Sequence, residues 1–333
     1  MNNMEWSMQP GENILIENEK KVSIIMPVFN SEKYVSEAIE SVCHQNYKNW
    51  ELLIVNDGSV DLSSEIIEKY AKKDSRITVF HKRNEGVSNA RNFALGKISG
   101  EYVTFIDSDD VYHTDRLKKM VQVFEKHGNC DVVFSRHNEF KGKLIKIEQI
   151  GLGKTTIYDE DIVLKVISDS RNHFIWNTML RSSIAKKGQF ASIRFAEDFC
   201  YIRDCAWCCR EIAVLDEVLY YYRRDNKNAM TSHFFTEKYI TDYMKLVENC
   251  YSFCKNHELE DTFYKRMVAH EYAQNSMRIR KSTSYLKFVN CMNDKSFREG
   301  INYADASQCT LFERILFYLI KHKVYLPFAF WIW

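Results

Sequence analysis

The stretch Val103-Thr104-Phe105-Ile106-Asp107-Ser108-Asp109-Asp110 decides how this chain is read. Strand-forming residues run straight into a cluster of carboxylates. Acids this close repel one another unless a cation or hydrogen-bond donors sit among them. Hard divalent ions favour carboxylate oxygens, and phosphate oxygens complete their shell well. In an open α/β sheet, ligands bind beyond the carboxyl ends of the strands, where these acids project. The first expectation is a metal-assisted site for a phosphorylated substrate. A solvated loop, with Asp115 capping the next helix, is the competing one.

Outward from this stretch, strand and helix patterns alternate between residues 22 and 134. Val22–Val28 reads as a buried strand. Val35, Ala38, Ile39, Val42 and Cys43 recur at helical spacing, with Ser31 placed to start that helix. Glu51–Val55 is a second strand, Ile66, Ile67 and Tyr70 mark a helix, and Ile77–Phe80 is a third strand. Ser88–Lys97 reads as a helix closed near Gly100, Tyr102–Ile106 as the fourth strand. Leu117, Met120, Val121 and Phe124 mark a helix and Asp131–Phe134 a fifth strand. The alternation predicts an α/β fold with a mostly parallel central sheet flanked by helices. Later, a hairpin turn is expected at Lys141-Gly142-Lys143, helices over Asp161–Ser168 and Asp198–Arg210, and a strand over Val218–Arg223. From about Glu237 the pattern is helical.

The chain has 333 residues, enough for two domains, with 45% hydrophobic and 27% charged residues. Its net charge of +1 gives no argument for nucleic-acid binding. Residues 1–21 carry no apolar signal-peptide core, so a reducing, cytoplasmic setting with free thiols is expected for the ten cysteines. Cys205 and Cys208 have metal-like spacing but lie in a helical pattern without a second pair, and read with Cys200 and Cys209 as small core residues.

Motifs gather at the predicted strand ends: Pro27-Val28-Phe29-Asn30, Val55-Asn56-Asp57-Gly58-Ser59, Gly86-Val87-Ser88-Asn89-Ala90-Arg91-Asn92 and Asp107-Ser108-Asp109-Asp110. Glu197-Asp198 and Tyr220-Tyr221-Tyr222-Arg223-Arg224 come later. Asp-Gly alone is ordinary turn chemistry, and a helical arginine is most often a solvated surface charge. In this order, the set resembles the inverting glycosyltransferases of family 2, of bacterial polysaccharide type, with a GT-A fold. The resemblance is good over residues 22–134 and thinner to about 231.

The resemblance implies a role for each motif. Pro27, Val28, Phe29 and Asn30 would lie against the nucleotide base and ribose, and Asp57 would accept the uracil N–H. Arg91 would sit near the diphosphate. In the Asp107-Ser108-Asp109 motif, Asp109 would ligate Mn²⁺ or Mg²⁺, with Asp107 nearer the ribose or a metal-bound water. Asp198 would be the catalytic base, and Glu197 would position it or the acceptor. Trp176 would stack near the acceptor, and Arg223 would reach the diphosphate from a flexible segment. The serine usual after this arginine is replaced around Asn228–Thr231. The implied donor is a UDP-sugar and the acceptor a glycan or lipid-linked hydroxyl. A core position for Trp176, and a plain helix start for Glu197-Asp198, are the structural counterparts.

The expected organisation is an extension (1–21), a catalytic domain (22–235) and a C-terminal helical region (236–333). The catalytic domain divides into a nucleotide-sugar half (22–134) and an acceptor half (135–235). Residues 260–333 hold eleven Lys/Arg and seven Asp/Glu, and end in aromatics beside basic residues. That composition suits either a membrane surface, on the inner face of the cell membrane, or a helix docked on the catalytic domain or on a second subunit. Two rival functions remain: a haloacid-dehalogenase-type phosphatase using Asp107 and Asp109, and a non-catalytic nucleotide-binding scaffold.

Overall fold

The structure, a computed structural model, describes residues 19–142, 155–159, 174–194, 196–226, 237–260, 262–307 and 309–330. Its first half alternates as the sequence pattern requires: β1 (Val22–Val28), α1 (Val35–Cys43), β2 (Trp50–Asn56), α2 (Ser63–Ala71), β3 (Ile77–His81), α3 (Val87–Leu95) and β4 (Tyr102–Phe105). Then come β5 (Val111–Tyr112), α4 (Arg116–Lys126), β6 (Cys130–Phe140), β7 (Thr155–Asp159), β8 (Thr178–Arg181), α5 (Ser182–Ala185), α6 (Glu197–Ala206) and β9 (Glu211–Arg223). All nine strands form one sheet, in the order β3-β2-β1-β4-β8-β6-β9-β5, with β7 also on β9. β3, β2, β1 and β4 run parallel. β8 is antiparallel to both β4 and β6, while β6 and β9 are parallel.

Every residue of β1 is buried because both sheet faces are covered. Val22, Ile24, Met26 and Val28 face a core shared with α1 and α4. Ile25 faces a second core with Ala90 and Ala94 of α3. That second core continues without a break into the C-terminal helices α7 (Ile240–Asn256), α8 (Thr262–Ser282), α9 (Tyr285–Met292), α10 (Lys295–Tyr303), α11 (Leu311–Lys321) and α12 (Leu326–Phe330).

Several expectations are corrected. Ser31 starts α1 through its carbonyl, which accepts from the Tyr34 and Val35 amides, while its hydroxyl pairs with Ser108. Asp115 precedes α4 without a side-chain cap, because its carboxylate accepts from Asn46. β5 was not anticipated. β6 and β9 run well beyond Asp131–Phe134 and Val218–Arg223, because each pairs with the other along most of its length. The helix predicted over Asp198–Arg210 stops at Ala206. Gly142 has a left-handed φ of 68°, as a turn requires, but Lys143 and the Asp161–Ser168 helix lie outside the described residues. Cys200, Cys205 and Cys209 are buried, with the Cys205 thiol donating to the Ile184 carbonyl.

Candidate active site

The loops after β1, β2 and β4 are stitched together at the carboxyl edge of the sheet. Pro27 and Val28 lie buried within β1, and Phe29 is exposed just beyond it. Asn30 adopts a left-handed φ of 49°, which asparagine tolerates. Its amide donates to Ser59 Oγ at 3.1 Å, and its side-chain oxygen accepts the Val60 amide at 2.9 Å. Ser31 and Ser108 share a hydroxyl hydrogen bond of 2.6 Å, joining the β1 loop to the acidic loop.

Asp57 is buried at the end of β2. Its two oxygens accept the Glu85 amide at 2.9 Å and the Gly86 amide at 2.8 Å. A carboxylate oxygen keeps a further lone pair for another donor. Gly58 has φ +78°, and a Cβ there would lie 2.8 Å from the Asn84 nitrogen. Only glycine lets the two loops approach so closely. The 83–86 turn held in this way leads into α3, which carries Arg91.

Arg91 is not the solvated surface charge that a helical arginine most often is: it is buried beneath the site. One terminal nitrogen donates to Asp198 at 2.7 Å and to Glu197 at 3.0 Å; the other donates to Asp107 at 2.9 Å. The guanidinium expected beside a diphosphate therefore has both ends engaged by three carboxylates of this chain. Burial pulls its pKa down, but Asp198, Asp107 and Glu197 outweigh that and hold it above the ordinary value.

Glu197 and Asp198 open α6, where the helix dipole favours acids. Ala196, just before them, sits in the left-handed region at φ 57°. Such a conformation costs an alanine about 1 kcal/mol and persists only when its surroundings enforce it. Asp198 also accepts the Ile175 amide at 3.2 Å. Burial, reinforced by the charges of Glu197 and Asp107 and opposed by Arg91, pushes the Asp198 carboxyl up to about 7. Burial likewise raises Glu197 against the pull of Arg91.

Asp109 and Asp110 part company. Asp110 is fully buried and structural: Tyr220 Oη donates to it at 2.6 Å and the Arg223 amide at 2.8 Å. Tyr220 Oη also accepts the Asp107 amide at 3.2 Å, so β9 clamps the acidic loop from beneath. Asp109 accepts Asn226 Nδ2 at 2.7 Å. Burial, with the nearby Asp107 charge, raises the Asp109 carboxyl, and Asn226 opposes this. Among the described residues no three acid, imidazole or thiol groups converge on one point to hold an ion unaided. Paired hard oxygen donors strained by like charge fit a divalent cation whose remaining ligands come from a diphosphate.

Trp176 is in the core. It stacks on Phe174, Tyr220 and Tyr222 at centroid distances of 4.8, 4.6 and 5.4 Å, and His137 meets it edge-on at 4.7 Å. Phe174, beside the Ile175 amide that binds Asp198, is the more exposed ring of the pair. Arg223 is buried as well. Its Nε donates to the Asp109 carbonyl and its terminal nitrogens to the Gly142 carbonyl and Glu37, so it braces the acidic loop. Asn228–Thr231 lies outside the described residues.

Sequence reasoning gave Asp110 and Tyr220 no role, although both stand in motifs it singled out, and it passed over Asn226 and Arg116. Arg116 is fully buried, has no carboxylate partner among the described residues, and donates to the Trp176 and Thr178 carbonyls at 2.9 and 3.2 Å. These bonds hold the turn whose Ile175 amide reaches Asp198. The acidic run itself marked Asp110 and the tyrosine run marked Tyr220; nothing local marked Asn226 or Arg116.

The family model described as Glycosyl transferase family 2 matches residues 23–213. The chain is 31% identical over 217 residues to the uncharacterized glycosyltransferase EpsJ of Bacillus subtilis, covering 63% of this chain and 62% of EpsJ. It is 43% identical over 109 residues to an uncharacterized glycosyltransferase of Rickettsia bellii, covering 33% of this chain and 16% of that protein. The chain spans 16%, 24% and 62% of the length of three curated relatives. Among solved structures, S. aureus TarS 1–349 in complex with UDP-GlcNAc matches with a TM-score of 0.70 at 21% identity, over 93% of this chain and 90% of that one. The Pyrobaculum calidifontis mannosyltransferase PcManGT, in complex with GDP-Man and Mn²⁺, matches with a TM-score of 0.51 at 14% identity, over 95% and 84%. At these identities the likeness is one of fold, the GT-A architecture.

Proposed function

The chain belongs to glycosyl transferase family 2; we propose that it is an inverting glycosyltransferase that moves a sugar from a UDP-sugar to a hydroxyl of a glycan or lipid-linked acceptor in surface polysaccharide synthesis. Family membership sets aside the phosphatase reading of Asp107 and Asp109; the presence of Asp107, Asp109 and Asp198 together speaks against a non-catalytic scaffold, and measurable donor turnover decides it. The observation that carries the proposal is the buried Arg91 cluster. One guanidinium joins Asp107, on the acidic loop, to Asp198, a carboxyl whose pKa of about 7 suits a general base at neutral pH.

The roles divide along the sheet edge. Residues 22–134 receive the donor: the 27–30 segment and Asp57 take the uridine, with Asp57 accepting the uracil N–H while the Glu85 and Gly86 amides hold it in place. Ser108 fixes the acidic loop against Ser31. Asp109, with Asp107 beside it, would hold Mn²⁺ or Mg²⁺, which when bound supplies Lewis-acid stabilisation to the departing diphosphate. Residues 135–235 receive the acceptor. Asp198 takes the acceptor hydroxyl proton as that oxygen bonds to the anomeric carbon, and the bond from that carbon to the diphosphate oxygen breaks. Arg91 holds Asp198 in place and balances part of the cluster's negative charge; Glu197 opposes ionisation of Asp198 by its own charge. Arg223 braces the acidic loop, and Trp176 backs the acceptor side from within the core. Ten free cysteines are in keeping with a reducing compartment such as the cytoplasm.

Incubation with UDP-sugars and candidate acceptors, followed by proton NMR of the product, tests the reading. A product anomer opposite to the donor's is expected. Retained configuration, or transfer that proceeds unchanged in excess chelator, overturns the mechanism.

A further inference from the structure

Helix α11 is apolar on both its inner and its outer face. Its inner residues Leu316, Phe317 and Ile320 are buried in the C-terminal core. Its outer face leaves Leu311 71%, Ile315 48% and Tyr318 61% exposed. At 3.6 residues per turn these three side chains fall within roughly 60° of one another. Arg314 and Lys321 border the same arc, and Val324 and Leu326, both exposed, continue the apolar surface beyond the helix. A groove of about 480 Å³ runs alongside, with Leu311, Ile315 and Tyr318 in its wall beside Arg314 and Lys321.

The charge pattern narrows the choice of partner. From residue 311 to 330 the full charges are Glu313, Arg314, Lys321 and Lys323. Glu313 is turned inward: it closes a capping box with Thr310 and accepts from Gln274. Asp305, across the groove, accepts the amide of Ser307 in its own turn. The outward charge of this segment is therefore wholly basic. Docking two copies through this same face would set Arg314 and Lys321 of one against like charges of the other. An anionic surface meets no such repulsion.

Among the described residues no helix is long and apolar enough to cross a membrane. Eleven residues of α-helix extend about 16 Å, roughly half of a bilayer's hydrocarbon core. A short rigid helix with an apolar outer arc and cations at its border suits the plane of the headgroups. We propose that the outer face of α11, extended by Val324 and Leu326, docks this protein on an anionic lipid surface. The surface stands apart from the transfer chemistry and would hold even if the donor assignment failed.

Sedimentation of the full chain with vesicles of mixed phosphatidylglycerol and phosphatidylcholine, against phosphatidylcholine alone, tests this. Binding to the anionic vesicles, weakened by salt, is expected, with little binding to the neutral ones. The triple variant Arg314→Gln, Lys321→Gln, Lys323→Gln should partition roughly 100-fold more weakly, since each cation near such a surface contributes about fivefold. Leu311→Ser, Ile315→Ser, Tyr318→Ser together should abolish binding while the melting temperature holds, because these side chains are exposed. Equal binding to both vesicle types, or unaltered binding by either triple variant, overturns the proposal. So does a concentration-dependent dimer that the serine variant dissolves while the parent ignores vesicles.

Discussion

Asp198 gives the sharpest test because its environment sets a number. With a pKa of about 7, the base is ionised to about nine-tenths at pH 8 and about one-tenth at pH 6. The free-enzyme profile of kcat/KM for the donor should therefore fall about tenfold across that interval. A carboxyl at the ordinary 3.8 would be ionised throughout and give a flat line. The causes of the shift can be removed singly. Glu197→Gln deletes a neighbouring negative charge and should move the acid limb to lower pH. Arg91→Met deletes the guanidinium opposing the shift and should move it higher, with activity at pH 7 reduced. Asp198→Asn should lower transfer by about 10²–10⁴-fold while sparing UDP-sugar affinity. The same shift bears on stability with a fixed sign. Because the folded carboxyl binds its proton more tightly than the unfolded one, the unfolded state releases the proton first, and stability declines as pH rises from about 4 to 7. Asp198→Asn should lessen that decline. Rates of UDP release between pH 5.5 and 8.5 supply the assay. A flat profile from pH 6 to 8, or an acid limb that neither variant displaces, refutes the assignment of the base.

Three other outcomes follow from the site. Asp109→Asn keeps size but removes charge, and should cost at least about a hundredfold in transfer together with the Mn²⁺-dependent part of UDP binding, with folding retained by circular dichroism. Asp57→Ala should weaken UDP binding by about 10–100-fold in calorimetry, and should also lower the melting temperature because the Glu85 and Gly86 amides lose their acceptor; equal UDP affinity would remove Asp57 from the site. Ala196→Gly should raise stability by about 1 kcal/mol in denaturant melts by relieving the left-handed alanine, and a destabilised variant would show that no strain is held there.

Much of this architecture was legible because it is written locally. β1, β2 and β4 are apolar runs bounded by turn residues, and the acids of the 107–110 loop follow directly from β4. β5, with two residues, carries no period to read, and the length of β6 and β9 depends on their mutual pairing. Trp176 illustrates a different limit. An aromatic residue near a catalytic acid reads equally as a sugar platform or as core, and only the stacked rings of Phe174, Tyr220 and Tyr222 decide between them.

Arg91 shows most clearly what a motif leaves out. Taken alone, a helical arginine most often reads as a solvated charge, and the resemblance that set Arg91 near a diphosphate named none of its partners. Its partners Glu197 and Asp198 lie 106 and 107 positions away, on a helix brought alongside by the second core. The chemistry of Asp198 depends on that meeting. At the start of an exposed helix the same residue would be an acid of ordinary strength, ionised at every physiological pH and a weak base for a hydroxyl. Burial against Glu197 and Asp107 raises its proton affinity; Arg91 limits the rise to about 7, so that a substantial share of the proposed base is ionised at neutral pH. The Glu-Asp pair therefore marks where the proposed base stands, while its strength comes from residues of α3 and the β4 loop that the pair itself does not specify.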